Sequence, residues 1–145
     1  MKSILLDIGF TILLATTIVW MQRQPVPPIP LSFQTREGHA VPTPDTAIIL
    51  FWDTQVKASH RDIQLIQRFQ QAHPNIETLF IHDNRQSETS LQDFLISLGV
   101  YTTPLYSTTW PEHVPMSILI HQGKRIDLHH SPHYSQLMEF FEVEF

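Results

Sequence analysis

The side chains that could carry chemistry in this chain are a serine–histidine pair and a set of histidines, because the sequence contains no cysteine. The absence of cysteine excludes disulfides, thiolate metal sites and cysteine catalysis. Ser59 is followed directly by His60, and a serine nucleophile needs both a general base and an oxyanion hole. Adjacent residues on a helix point about 100° apart, so this pair does not favour a hydrolase. An enzyme that acts on an exogenous thiol through Ser59 remains an alternative.

Histidine is the other candidate, since a neutral imidazole is a common metal ligand. The nine histidines are densest at His129, His130 and His133, where a predicted strand ends and a predicted helix begins. Two of these rings could come together there, but few carboxylates lie nearby and no thiolate can complete a metal site. Solvated histidines at an element boundary are the commoner situation. The sequence therefore predicts no cofactor, with histidine-based metal binding as an alternative.

Length and composition are those of one folded domain with a substantial core. The chain has 145 residues, of which 42% are hydrophobic and 10% aromatic, and this length suggests a single domain. The formal net charge of −5 gives no electrostatic basis for binding DNA or RNA. We therefore expect no nucleic-acid partner.

The amino terminus predicts a membrane anchor. Residues 4–21 are apolar apart from Asp7, a glycine and a few threonines, and about 20 apolar residues cross a bilayer core. A cleaved signal peptide is the alternative, although the small residues that cleavage needs are found only near Ala15 and bulky residues follow them. The predicted organisation is an anchor at residues 1–23, a proline-rich spacer at 24–30 and a folded domain at 31–145.

Strand and helix patterns alternate through the folded domain. Apolar runs predict strands, the second of them buried and central, at residues 31–33, 47–52, 76–82, 101–107, 116–120 and 125–128. Helices are predicted to begin at serines that match capping motifs: Ser59 with Asp62, Ser90 with Asp93, and Ser131 before Pro132. A strand–helix–strand start implies a parallel pair, and the last two strands form a hairpin. This order predicts an α/β protein with a mixed central β-sheet flanked by helices.

The segment at residues 48–61, IILFWDTQVKASHR, resembles the catalytic turn of thioredoxin-like thiol:disulfide oxidoreductases. In that family a buried strand ends in F-W-x-x-x-C-x-x-C-R. Val56 and Ser59 occupy the two cysteine positions of this chain. A thiolate is the nucleophile of thiol–disulfide exchange, and neither side chain can supply one. The same segment therefore points to the fold and argues against the chemistry that the fold usually performs.

The wider layout resembles the membrane-anchored periplasmic thioredoxin-like proteins of the TlpA/redoxin group. It is most similar to the protein disulfide oxidoreductase, or suppressor-for-copper-sensitivity D, branch. The family's T-P-T motif is replaced here by Val114-Pro115-Met116, which puts Pro115 at the family's cis-proline. The helix that usually precedes this proline is missing or very short. The resemblance implies a thioredoxin-like fold preceded by one transmembrane helix, in the inner membrane with the soluble domain in the periplasm.

Without cysteines, the resemblance leaves partner binding as the expected function. The family's cis-proline groove pairs with an extended partner segment by strand addition, which needs no thiol. The predicted binding residues are Trp52, Gln55, Val56, Ser59, His60, Val114 and Pro115, and the expected partner is an envelope protein or a membrane assembly. The alternative is a copper-handling protein of the same fold, in which His60 and His113 face each other across the groove.

Overall fold

The structure is a computed structural model that describes residues 29–83, 88–107 and 109–144. The predicted anchor at residues 1–23, and all of the spacer except Ile29 and Pro30, lie outside the described residues. Within those three ranges, no helix has the length and apolar character needed to cross a membrane.

One mixed sheet forms the centre of the described structure. Its strands are β1 (Phe33–Gln34), β2 (Ala40–Val41), β3 (Thr46–Phe51), β4 (Glu77–His82), β5 (Leu105–Ser107), β6 (Met116–His121) and β7 (Lys124–Leu128). Their spatial order is β2-β1-β5-β4-β3-β6-β7. The described helices are α1 (Lys57–Ala72), α2 (Glu88–Ser97) and α3 (Tyr134–Phe140).

The pairing of the strands confirms the predicted topology. β3 and β4 are parallel and are joined through α1, as a strand–helix–strand unit requires. β6 runs antiparallel to β3 and forms a hairpin with β7. Gly123 has φ +82° in the tight turn of this hairpin, a conformation that glycine adopts without strain. The predicted strand at 101–107 is shorter than expected, since only Leu105–Ser107 pairs.

Two apolar layers lie on the two faces of the sheet. Alternate residues of β3 point to opposite faces, so Ile48 and Leu50 pack with residues of all three described helices. Ile49 and Phe51 pack on the other face with Phe33, Ile118 and other strand residues. That second layer is covered in part by the half-buried side chains of Ile29, Leu31, Trp110 and Val114. The missing helix before Pro115 is confirmed, because residues 109–115 contain no helix.

The helix starts differ from the predicted capping motifs. α1 begins at Lys57 with Val56 as its extended N-cap residue, so Ser59 is not the N-cap but the third residue of the helix. α2 begins at Glu88, which places Ser90 inside the helix instead of at its start. The physical reason at Ser59 is a competing bond, because its hydroxyl accepts from the preceding turn.

The start of α3 is also later than predicted. Its N-cap residue is His133, and the His133 N–H donates to Gln136 Oε1 at 3.4 Å. Ser131 and Pro132 therefore precede the helix. The Ser131 hydroxyl lies within hydrogen-bonding reach of the Asp62 carboxyl on α1 instead, so a tertiary contact has taken the side chain that the sequence pattern assigned to a cap.

Candidate functional site

The turn at residues 52–56 and the Val114–Pro115 peptide lie at the same end of the sheet, beyond the paired ends of β3 and β6. Phe51 at the end of β3 is paired with Met116 at the start of β6. The residues that follow Phe51 and precede Met116 therefore leave the sheet at the same place. The Val114–Pro115 peptide bond is cis, as the resemblance implied.

The turn that replaces the family's two cysteines is closed by its own hydrogen bonds. The Gln55 N–H donates to Asp53 Oδ1 at 2.9 Å, and the Val56 N–H donates to the Asp53 carbonyl at 3.2 Å. The Asp53 N–H in turn donates to Ser59 Oγ at 3.2 Å. These bonds fix the turn to the first residues of α1 without any metal or disulfide.

Ser59 is unsuited to act as a nucleophile. Its side chain is fully buried, with 0% exposure, and its oxygen already accepts from the Asp53 N–H. No substrate atom can approach a hydroxyl that is buried in this way. The structure therefore gives no support to the predicted alternative of an enzyme that works through Ser59, whose observed role is to hold the turn.

An aromatic stack holds the turn against α2. Phe94 of α2 stacks on Trp52, with ring centroids 5.6 Å apart and an interplanar angle of 14°. The His60 ring packs on the same Phe94, with centroids 4.9 Å apart. The His60 Nε2–H donates to the Thr54 carbonyl at 2.9 Å. The His60 side chain therefore contacts both the turn and Phe94.

Trp52 does not line the surface of the site, contrary to the prediction. It is fully buried at 0% exposure, between Phe94 and His82, whose ring centroid lies 4.8 Å from that of Trp52. The half-buried aromatic residue next to the turn is Phe94 of α2. Trp52 therefore supports the site from beneath.

A second aromatic residue, Trp110, lies in the non-helical segment that precedes the cis peptide at Val114–Pro115. Trp110 packs edge-on against Phe51, with centroids 5.6 Å apart, and lies 6.3 Å from His82. Val114 belongs to the same apolar layer. These contacts show that residues 109–115 are held down by side-chain packing instead of by helical hydrogen bonds.

The accessible part of the site is a mixed surface with free main-chain groups. Gln55 is exposed, and Val56, His60, Val114 and Pro115 are half-buried. Within the described residues, neither the Val114 N–H nor its carbonyl has a hydrogen-bond partner. An extended peptide could pair with these two groups and place its side chains over Val56.

The histidines do not form a metal centre in the part of the chain that the structure describes. No group of three His, Asp or Glu side chains there is placed to hold a metal ion. His113, His129 and His130 are exposed, and the His130 Nδ1–H donates to the Ser131 carbonyl at 3.0 Å. His60 uses its Nε2–H internally, so the predicted His60–His113 ligand pair has no structural support.

Solved structures with a similar fold include thiol:disulfide proteins. A secreted disulfide oxidoreductase from Mycobacterium tuberculosis matches with a TM-score of 0.62 and 14% identity, covering 77% of this chain and 94% of its own. StoA from Bacillus subtilis matches at 0.57 and 18%, covering 79% and 97%. A thio-disulfide isomerase from Thermus thermophilus matches at 0.63 and 12%, covering 84% and 99%.

This chain has a thioredoxin-like fold. At such low identities the similarity concerns the fold alone, and no protein-family model and no curated protein matches the sequence. The thioredoxin-like fold here lacks the thiols on which disulfide exchange depends, since the chain contains no cysteine. The chain therefore combines a thioredoxin-like fold with the absence of the thiols that disulfide exchange needs.

Proposed function

We propose that this protein is a redox-inactive thioredoxin-like domain, tethered to the membrane of the cell envelope, that binds an extended segment of a partner protein. The observation that carries the proposal is the pair of unbonded main-chain groups at Val114, next to the site's half-buried surface. Strand addition uses main-chain hydrogen bonds for affinity and side-chain pockets for specificity.

The substitution of the two cysteines suits non-covalent binding. Val56 presents an apolar side chain where the family has its reactive thiol, and Ser59 is buried beneath it. An apolar surface gains from being covered by a partner, while the closed turn needs little ordering on binding. A pre-organised site of this kind avoids part of the entropy cost of association.

The location in the envelope is supported by the amino-terminal segment and by a structural neighbour. Residues 4–21 have the composition of a membrane-spanning helix. One of the similar structures is a secreted disulfide oxidoreductase. We infer an inner-membrane protein with its thioredoxin-like domain in the periplasm and an envelope protein or membrane assembly as its partner.

Site-specific photocrosslinking on the full chain tests this function. A photoreactive amino acid at exposed Gln55 should give discrete adducts with one or a few envelope proteins. The matched control carries the same group at Gln71, which is exposed near the far end of α1. Val56→Asp, which puts a charge on the apolar surface, should abolish the Gln55 adducts. Equal adducts from Gln55 and Gln71, or adducts unaffected by Val56→Asp, would contradict the proposal.

A further inference from the structure

β7 is an edge strand of the sheet, and one of its two sides is open. It pairs with β6 alone. The Gln122 N–H donates to the Asp45 carbonyl just before β3, so the even-numbered residues of β6 bond to β3 and the odd-numbered ones bond to β7. The β6–β7 register pairs odd-numbered residues with even-numbered ones. The main-chain N–H and carbonyl groups of Arg125 and Asp127 therefore point away from β6.

These outward main-chain groups are unpaired. Within the described residues, the main-chain N–H and carbonyl groups of Arg125 and Asp127 have no hydrogen-bond partner. Such an edge is a template on which another strand can pair, and proteins commonly block it with a proline or a bulge. β7 has neither, because its pairing with β6 runs without interruption from Lys124 to Leu128. The edge is therefore open to strand addition.

The side chains of β7 divide between the two faces of the sheet. On one face Arg125 and Asp127 form a bidentate ion pair, with Nε to Oδ1 at 2.7 Å and Nη2 to Oδ2 at 2.9 Å. Their charges cancel, so they do not repel another strand as charges of a single sign would. On the other face Ile126 lies between Lys124 and Leu128, and 37% of its surface is exposed. β7 therefore presents an apolar side chain and a balanced charge pair beside its unpaired main chain.

The charge pattern of β7 fits a second copy of the same strand in one register. In antiparallel pairing about a two-fold axis, the odd-numbered residues of one copy must face odd-numbered residues of the other, because these carry the outward groups. Arg125 facing Arg125, or Asp127 facing Asp127, would put like charges opposite each other, which is destabilising. The register between these two is centred on Ile126. It places Arg125 of each copy opposite Asp127 of the other, so that both facing pairs have opposite charges.

We propose that β7 pairs with β7 of a second copy of this chain, antiparallel and centred on Ile126, so that two molecules share one continuous sheet. Arg125 and the second copy's Asp127 exchange their main-chain hydrogen bonds, and the two-fold axis repeats this exchange. Their side chains form ion pairs between the copies, and the two Ile126 side chains cover each other on the opposite face. No residue of β7 belongs to the groove at Val114, so this interface is independent of the proposed function.

Single cysteines test this interface on the full chain in detergent, because the chain has no cysteine of its own. Ile126→Cys lies on the proposed two-fold axis, where the two Cα atoms are roughly 4.5 Å apart and a disulfide can form. Lys124→Cys is the matched control. Lys124 is exposed on the same face of the same strand, but its two copies would be roughly 14 Å apart. Under mild oxidation Ile126→Cys should form a disulfide-linked dimer roughly tenfold faster than Lys124→Cys, or more, as measured on non-reducing gels.

Charge variants in the Ile126→Cys background test the register. Asp127→Arg alone, or Arg125→Asp alone, puts like charges opposite each other and should slow dimer formation roughly fivefold or more. An equimolar mixture of these two variants should recover the dimer, because every facing pair between unlike copies again has opposite charges. An ion pair that acts only within one chain would not recover on mixing.

Equal rates for Ile126→Cys and Lys124→Cys would show random collision and overturn the proposal. Absence of a dimer from Ile126→Cys would overturn it as well. Charge variants that leave the rate unchanged, or a mixture that is no faster than the separate variants, would exclude the register centred on Ile126 and with it the proposed interface.

Discussion

Ser59 Oγ accepts a hydrogen bond of 3.2 Å from the backbone N–H of Asp53, across the turn where the resembling family has its two cysteines. This bond ties the first turn of α1 to the end of β3. The serine at the second cysteine position therefore contributes to the stability of the turn and not to catalysis.

Ser59→Ala should destabilise the protein by about 1–2 kcal/mol, because it leaves the part-buried Asp53 N–H without an acceptor. Urea unfolding followed by the fluorescence of the tryptophans measures the change. Ser135→Ala, which changes an exposed serine on α3, is the control and should change the free energy of unfolding by less than about 0.5 kcal/mol. Equal effects of the two substitutions would mean that the Ser59–Asp53 bond contributes nothing.

Val56→Cys combined with Ser59→Cys should create a disulfide-forming pair in a chain that otherwise has no thiol. The first cysteine would occupy the N-cap position of α1, where the helix dipole stabilises a thiolate and lowers its pKa. We expect the double variant to form an intramolecular disulfide under mild oxidation and to acquire disulfide reductase activity. The unaltered protein and the Val56→Cys single variant should show none.

Mass spectrometry after alkylation measures the disulfide, and reduction of insulin measures the activity. If the two cysteines remain alkylatable after mild oxidation, the alignment of residues 48–61 with the thioredoxin-like turn is wrong. If the disulfide forms without activity, the turn is aligned correctly but the groove does not admit a disulfide substrate.

Much of the fold could be predicted because it depends on local patterns. The apolar run that became β3 is buried along its length, and the Gln122-Gly123 turn joins β6 to β7 as predicted. The helix starts were wrong because Ser59 and Ser131 are engaged by Asp53 and by Asp62. Such bonds between separate elements leave no trace in a local capping motif.

The candidate site was predicted only in its main-chain outline. The cis peptide at Val114–Pro115 was implied by the resemblance and is present. The stacking of Phe94 on Trp52 was missed because it joins α2 to the turn after β3, and no periodicity reports such a contact. The burial of Asp62 had a weak signal: it lies four and seven residues before Ile66 and Phe69, on the apolar face of α1.

Gly99→Ala should be more harmful than the same change at Gly123. Both residues have positive φ, +81° and +82°, so alanine is strained by about 1–2 kcal/mol at either position. At Gly99 a new Cβ would also lie 3.0 Å from Gln67 Nε2, whose hydrogen bond to the Gly99 carbonyl would be disturbed. At Gly123 no atom lies within 4 Å of the new Cβ.

The expected excess at Gly99 is about 0.5–1.5 kcal/mol, the contribution of one hydrogen bond, measured by urea unfolding. In a Gln67→Ala background the two alanine substitutions should cost the same, since the neighbour that distinguishes them is gone. An excess that persists without the Gln67 side chain would place the strain in the backbone alone.

The full chain should stay in the membrane fraction after a high-salt wash, because residues 4–21 predict an apolar anchor. Deletion of residues 1–23 should give a soluble, folded domain. Deletion of residues 1–31 should cost a further 1–3 kcal/mol or so, because Ile29 and Leu31 pack on the second apolar layer. Recovery of a mature form that starts between Thr17 and Arg23 would instead establish a cleaved signal peptide.

Asp62 should make the stability of the protein fall as the pH rises from acid to neutral. Burial raises the pKa of Asp62 above its usual value, so the native state binds this proton more tightly than the unfolded chain does. Between the usual and the raised pKa this carboxyl is therefore protonated more in the native state than in the unfolded chain, and its contribution to the free energy of unfolding decreases with increasing pH. Above the raised pKa the protein carries the full cost of a buried charge.

Asp62→Asn removes this titration while keeping the shape of the side chain. The melting temperature of the variant should exceed that of the unaltered protein at pH 7–8, and the difference should shrink as the pH is lowered towards about 4, where an unfolded aspartate becomes protonated. Ser131→Ala should have the opposite effect at neutral pH, because the lost hydroxyl favours the ionised carboxyl. Thermal unfolding across this pH range measures all three proteins. A difference that is constant with pH, or an Asp62→Asn variant that is less stable throughout, would show that Asp62 is not destabilised by its burial.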